Sequence, residues 1–470
     1  MKENMLTKFL QIFSCDEDLK TRNIDCGISL TVICMDTMSD DDKVSSYVLQ
    51  PLAYINDAQS IRDVQNSIMA GATVKRIVAL DEAMQDYANG YTLVFDEQGK
   101  GIAVDTRTTL ARAIAEPPTS MVLRGPREGF VEDVKINITL LRKRLKTPNF
   151  KYVNVTVGKY TNTAVSVCYI DGIADKKIVD DIIQRIIAIK TDGIIDSSYV
   201  ARYLDEKKTL LFRRVGVTEK PDIAVAKMLE GRVAIVVDGS PMVLTLPYMF
   251  LEDMQSPGDY YENSTMTGVS RILRFISVIA SLLLPALYVC MQAYNYQIIP
   301  LKFLITVMNA SEAIPFSPLS EMLLVLIIFD ILREANLRMP SAVGISLSLV
   351  GAIVLGDAAV KAGLLGAPAV MIGALSGIGL FTMPDNTLAL TLMRLALTLI
   401  GGITGLFGVT LAMMGIVFYL ASLQMNKTPF LAPFAPLIPQ DLQDGLVQDN
   451  VQSMTKRPRS IPNTNKTRRG

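Results

Sequence analysis

The sequence predicts an α/β, two-lobed (duplicated) cytoplasmic domain followed by an α-helical polytopic membrane domain. Three observations predict it. Charge is scarce after residue 274: of 46 basic and 46 acidic residues in the 470-residue chain, only 11 lie between Phe275 and Leu423. Several stretches of that region approach the ~20 mostly apolar residues that a helix needs to cross a bilayer. The first half is charged throughout and echoes itself at two places, as a repeated structural unit does.

Residues 1–21 begin MKENMLTKFLQIF, an apolar stretch too short for a signal peptide. A charged run (Asp16, Glu17, Asp18, Lys20, Arg22) follows with no small-residue cleavage site. The part before the membrane block is therefore expected on the cytoplasmic side. Residues 22–115 form the first subdomain and 152–262 the second. ISLTVICMDTMSDDDKVSSYVLQ (28–50) and TAVSVCYIDGIADKKIVDDIIQR (163–185) align on Asp36 and Asp171. Each reads as an apolar strand, an aspartate turn, a second aspartate four residues on (Asp40, Asp175) and a helix. NGYTLVFD (89–96) and EGRVAIVVD (230–238) repeat a glycine, a buried-type strand and an aspartate turn. Helices are predicted over Ile178–Ile189 and Ile223–Leu229. The aspartates suit solvated turns or helix N-caps; metal ligation is the competing reading.

Residues 116–151 form a connecting helical hub. In R-G-P-R-E-G-F (124–130), which holds Arg124, Arg127 and Glu128, Gly125 and Gly129 around Pro126 specify a turn. A helical stretch then carries Arg142, Lys143, Arg144 and Lys146. This basic cluster fits either a phosphate or anion site or a salt-bridge hub between subdomains or subunits.

The membrane domain is drawn at 263–426, with four to six helices. Phe275–Tyr296, Ser341–Val360, Ala367–Met383 and Leu395–Asn426 are the four strongest spans. Glu321–Met339, apolar first and charged at its end, adds a fifth. A break at Gly401, Gly402, Gly405 and Gly408 would divide the last region into Thr387–Ile400 and Leu406–Leu423 and give six. Arg271 and Arg274 flank the first span, and the tail at 427–470 is basic, so the positive-inside rule places both ends inside. Both ends inside require an even number of spans. Pro429, Pro433, Pro436 and Pro439 predict an extended segment, and the polar, basic last 20 residues are expected to be disordered.

Small residues set the expected packing in lipid. Gly344, Ser348, Ala352 and Gly356 recur every four residues on one predicted span, and Ala369, Gly373 and Gly377 on the next. On the other face of the first of these, Val350, Val354, Asp357 and Lys361 fall roughly in line. A ring of such helices would place a hydrophobic constriction beside a ring of carboxylates, which can gate and select cations. The plain alternative is a local Asp357–Lys361 pair at i,i+4. In Glu321–Met339, Asp330 with Arg333 and Glu334 with Arg338 are spaced for local ion pairs, whereas Glu321 has no local partner. Ionised groups at membrane depth point to function. The alternatives are a docking hub for the 330–338 group and simple solvation for Glu321.

Exclusions are equally informative. The chain has no histidine, which removes Ser-His-Asp and Cys-His nucleophiles, histidine-ligated zinc and an imidazole pH switch. Its five cysteines (Cys15, Cys26, Cys34, Cys168, Cys290) contain no C-x-x-C pair and suggest free thiols. No Walker A pattern is present, and zero net charge argues against nucleic-acid binding. The reading is therefore no enzyme, no cofactor and no metal. A secondary transporter is the alternative, though the membrane half shows no convincing inverted repeat.

At this point the motifs become specific. R-G-P-R-E-G-F is followed by L-L-R-K-R (140–144), T-E-K-P-D (218–222), E-G-R-V-A-I-V-V-D-G-S-P (230–241) and D-Y-Y (259–261). The membrane half adds I-L-R-E-A-N-L-R-M-P (331–340), V-G-A-I-V-L-G-D-A-A-V (350–360) and F-L-A-P-F-A-P (430–436). In order, over nearly the whole chain, they resemble the spore-germination receptor A-subunit family (the GerA family). Lys220 and Asp330 stand where that family usually has Arg and Glu, and Phe212-Arg213 replaces its usual Phe-Pro. The shared motifs make Arg142, Arg144, Glu219 and Asp222 part of a family hub. The resemblance implies a receptor subunit of the spore inner membrane, in contact with lipid and acting with a transporter-like B subunit and a lipoprotein C subunit. It further implies a homo-oligomer, a pentamer, that forms an ion channel answering nutrients. A paralogue encoded beside the spore's dipicolinate channel shares the motifs, so an amplifier of germination is the other reading.

Overall fold

The computed structural model describes residues 4–13, 16–55, 58, 60–68, 71–108, 124–205, 211–311, 314–338, 351, 353–450 and 452–468. They form two units. The α/β unit comprises Met1–Lys208, Arg214–Tyr248 and Thr455–Gly470; the helical unit comprises Thr209–Arg213 and Met249–Met454.

The α/β unit holds two five-stranded sheets. The first contains β1 (Leu19–Asp25), β2 (Ser29–Met35), β3 (Val74–Ile77), β4 (Thr92–Asp96) and β5 (Gly101–Val104), in the order β1-β2-β4-β5-β3. The second contains β6 (Phe150–Val157), β7 (Thr163–Ile170), β8 (Gly216–Thr218), β9 (Val233–Val237) and β10 (Val243–Leu246), in the order β6-β7-β9-β10-β8. Counted from its own first strand, each sheet has the same order, and the described pairs are antiparallel. The paired sequence echoes supply matching strands, β2 with β7 and β4 with β9, so the duplication is structural.

Strand periodicity explains the layers. In β2, Ile33 and Met35 face a core with α1 (Met5–Ile12), where Phe9 and Phe13 pack on Tyr87. Leu30 and Val32, on the opposite face, join Val64 and Ile68 of α2 (Ile61–Ile68). Tyr87 belongs to α3 (Leu80–Ala88). One layer of the second sheet is covered by α4 (Val134–Arg144) and α7 (Pro221–Leu229), through Ile138, Leu141, Ala224 and Met228. Helices α5 (Lys176–Ile187) and α6 (Ser197–Leu204) complete that lobe. The second aspartate of each repeat is a cap: Asp40 accepts from the amides of Asp42 and Lys43, and Asp175 from that of Lys177. Among the described residues no group of three or more ligating side chains could hold a metal.

The helical unit contains α8 (Ser264–Ala293), α9 (Leu301–Ser311), α10 (Pro318–Arg338), α11 (Ala367–Leu380) and α12 (Thr387–Ser422). Ser264–Ala293 and Pro384–Ser422 are long and apolar enough to cross a membrane. Several expectations are corrected. Helix α11 has 14 residues, about 21 Å at 1.5 Å per residue, which falls short of a ~30 Å hydrocarbon core. The break expected among the glycines of the last region is present: α12 is two helical segments joined across a kink at Gly405, whose φ of 67° and ψ of −159° are not helical. The proline-rich segment is not extended: Gln424–Met425 pairs with Thr428–Pro429 and turns run on through residue 437. Phe430 is buried there beside Phe212 and Phe250. Residues 455–468 lie against the second lobe, where backbone carbonyls and Glu230 give polar groups of Arg457, Thr464 and Arg468 partners. Most of Ser341–Val360 lies outside the described residues.

Candidate functional site

The helical unit encloses a polar core. Arg394 on α12 is fully buried and its Nη2 donates to both oxygens of Asp330 on α10, at 2.8 and 2.9 Å. Its Nη1 donates to Ser376 Oγ of α11 at 3.1 Å, and Ser376 Oγ donates to Ser281 O of α8 at 2.7 Å. Arg333 lies 3.4 Å from Asp330 and donates to Thr391 Oγ1 at 3.0 Å. One carboxylate thus organises four helices. The i,i+3 pairing expected for Asp330 exists, but the shorter contact is to Arg394, 64 residues away. That partner was legible only as a lone arginine in an apolar run.

Glu321 is not solvated: it is 2% exposed, and its Oε1 accepts the Gly366 amide at 2.6 Å, at the N-cap of α11. Glu334 and Arg338 form the expected i,i+4 pair on an exposed surface. Asp357 and Lys361 also pair, at 2.7 Å, with both side chains exposed. Residues 354–358 form a π-type turn rather than regular α-helix. Val350, Gly344, Ser348 and Ala352 lie outside the described residues. Of the packing glycines, Gly373 is tight, with Val325 Cγ1 2.4 Å from where a Cβ would stand. Gly356 and Gly377 face open space.

The second constellation is the hub of the α/β unit. Arg142 of α4 pairs with Asp16 at 3.1 Å and Asp18 at 2.9 Å, and all three side chains are buried. Asp18 accepts the amide and hydroxyl of Thr37 at 2.9 and 2.6 Å, while Thr139 of α4 donates to Thr37 O at 2.6 Å. Burial pushes the Asp16 carboxyl up, against the pull of Arg142. Burial also raises Asp36, but bonds from Lys20 and Lys135 outweigh it and hold that carboxyl below its ordinary value.

The R-G-P-R-E-G-F loop is tied to the T-E-K-P-D motif. Lys220 Nζ donates to Pro126 O at 2.9 Å, and the Phe130 amide donates to Glu219 O at 2.8 Å. Asp222 Oδ2 stands 3.9 Å from Lys220 Nζ. Glu128 accepts from Arg144 at 2.6 Å, and Gly125 makes the turn at φ 117°. Arg124 and Arg127 are exposed at its rim, and Gly129 is buried within it. Carboxylates therefore engage Arg142 and Arg144, which is the arrangement of an ion-pair hub. Asp16, Asp18, Thr37 and Thr139 were not singled out from sequence; their only signal was the charged run after residue 15.

A duplicated α/β domain carried in one chain with a bundle of apolar helices and an ion pair sealed inside it defines a class: an α/β domain joined in sequence to a membrane-type helical unit. The family is then direct. The family model for the Bacillus/Clostridium GerA spore germination protein matches residues 7–460, and the chain belongs to that family. It is 34% identical over 470 residues to the uncharacterized membrane protein YfkQ of Bacillus subtilis, covering 97% of this chain and 90% of that one. It is 32% identical to spore germination protein KA of B. subtilis, over 96% of this chain and 85% of its relative. Spore germination protein GerLA of Bacillus cereus is 28% identical over 96% and 93% of the two chains. The N-terminal domain of the A subunit of the Bacillus megaterium germinant receptor GerK3 covers 52% of this chain and 94% of its own, at 24% identity and a TM-score of 0.41.

Proposed function

We propose that the chain is the A subunit of a nutrient-responsive spore germination receptor, and that it oligomerises into a ligand-gated ion channel in the spore inner membrane. The observation that carries this reading is the match of residues 7–460 to the family model of the GerA spore germination protein; the Asp330–Arg394 pair, sealed among helices with apolar outward residues, is its structural core. Buried charges cost several kcal/mol unless paired, so this core holds the bundle rather than conducting. The exposed Asp357 and Lys361 remain available to a pore, with Val354 in the same turn. On α12 before the kink at Gly405, Leu388, Leu392, Leu399 and Ile403 are exposed along one side, a surface suited to lipid or to helices of further copies. Several relatives carry the name spore germination protein, which favours a receptor acting with transporter-like and lipoprotein subunits.

The test has two arms. In liposomes holding the full receptor, Asp357→Asn is expected to change cation flux several-fold; unchanged flux in Asp357→Asn and Val354→Ala would remove these residues from the pore. In spores, deletion of the gene is expected to abolish the response to one nutrient class. A general slowing, including the response to pressure or added dipicolinate, would instead mark an amplifier of germination. Counterflow of a labelled solute by the chain alone would mark a transporter.

A further inference from the structure

Residues 455–468 return to the second lobe and dock at one end of α7. Arg457 is 8% exposed and donates its Nε–H to the carbonyl of Leu229, the last residue of that helix, at 2.7 Å. Arg468 pairs with Glu230 at 2.8 Å. The Thr464 amide donates to Ile173 O at 2.9 Å, and its hydroxyl to Gly172 O at 2.7 Å. Gly231, at φ 109°, has Asn463 Cβ 2.9 Å from where its own Cβ would stand, so the tail lies closer than any side chain would permit. Cationic groups at a helix C-terminus satisfy its last carbonyls and complement its dipole.

The other end of α7 is held just as firmly. Lys220 is its N-cap, with Nζ donating to Pro126 O, and the Glu219 carbonyl accepts from Phe130. Between the ends, Ala224 and Met228 pack with Phe130, Ile138 and Leu141. A nine-residue helix is a hydrogen-bonded rod about 14 Å long, and one end cannot shift freely without the other. We propose that α7 is a relay: through it, the C-terminal tail sets the position of the 124–130 loop. By the Glu128–Arg144 bond it thereby acts on the α4 hub that joins the two lobes. Arg457 is a positioning residue in this scheme.

Hydrogen–deuterium exchange on the full chain in detergent tests it without reference to ion flux. Arg457→Ala is expected to speed exchange about tenfold at 229–232 and also at the Phe130 amide, on the opposite end of α7. Faster exchange at 229–232 with Phe130 unchanged would overturn the relay and leave the tail a local anchor. A conservative variant guards against simple unfolding. Arg457→Lys keeps a cation at the C-terminal end of α7 and is expected to leave exchange at Phe130 close to the parent's; exchange there as fast as in Arg457→Ala would also overturn the proposal.

Discussion

Arg142 and Arg394 are both fully buried, and both are held by carboxylates distant in sequence. Desolvating such ions is expensive, so the arrangement holds only while every partner is present. Arg142→Met would leave Asp16 and Asp18 buried beside one another without a counter-ion. A loss of about 3–5 kcal/mol is expected in denaturant unfolding of the α/β unit, followed in the full chain. Adding Asp16→Asn and Asp18→Asn should recover much of it, because neutral groups carry no such desolvation cost; no recovery would mean that Arg142 acts mainly by packing on Phe150. At this scale the sequence was only half legible. The pairs at i,i+3 and i,i+4 could be read from spacing, as Glu334–Arg338 was. The partners of Arg142 and Arg394 could not, since nothing local connects residue 16 to 142 or 330 to 394.

At the scale of elements, helix approach is decided by single atoms. A side chain at Gly373 would meet Val325 and Phe329 of α10, whereas Gly377, one turn on, faces open space. Gly373→Leu is therefore expected to destabilise the helical unit by about 1–3 kcal/mol in detergent melts, and Gly377→Leu to change little. The four-residue spacing identified both glycines as a ridge; it could not tell which one touches a neighbour. The elbow before α8 is electrostatic. Asp259 accepts from Arg274 at 2.7 and 2.8 Å, from Arg271 at 3.2 Å and from the Ser256 amide at 3.0 Å. Burial alone would raise its carboxyl, but these donors outweigh burial and hold it below the ordinary range. A depressed acid stabilises the fold fully above its unfolded pKa of about 4 and loses that contribution as pH falls through the folded value. Asp259→Asn should thus melt below the parent at pH 7, with the gap closing as the pH is taken below 4. A gap that stays constant with pH would show that charge is not what holds the elbow.

For the whole molecule, the duplication was legible because a strand's burial pattern is written in its own residues, as β2 and β7 or β4 and β9 display. The docking of the tail was not, because it is made through carbonyls at Leu229, Gly172 and Ile173 rather than through apolar residues of its own. That tail has a topological consequence. The α/β unit contains both Arg214–Tyr248 and Thr455–Gly470, which flank Met249–Met454 of the helical unit in sequence. A folded domain cannot be divided by a bilayer, so helices that cross between those points must cross an even number of times. We propose, from the basic residues near both ends, that these flanks lie on the cytoplasmic side. Single cysteines at Tyr160, which is 73% exposed, and at the exposed Lys466 report the two flanks. With the native cysteines as background, neither site should react with an impermeant maleimide in right-side-out vesicles, and both should react once the vesicles are opened. Reaction of one alone would place the flanks on opposite sides, and the docked tail with its relay through α7 would fall with the even count.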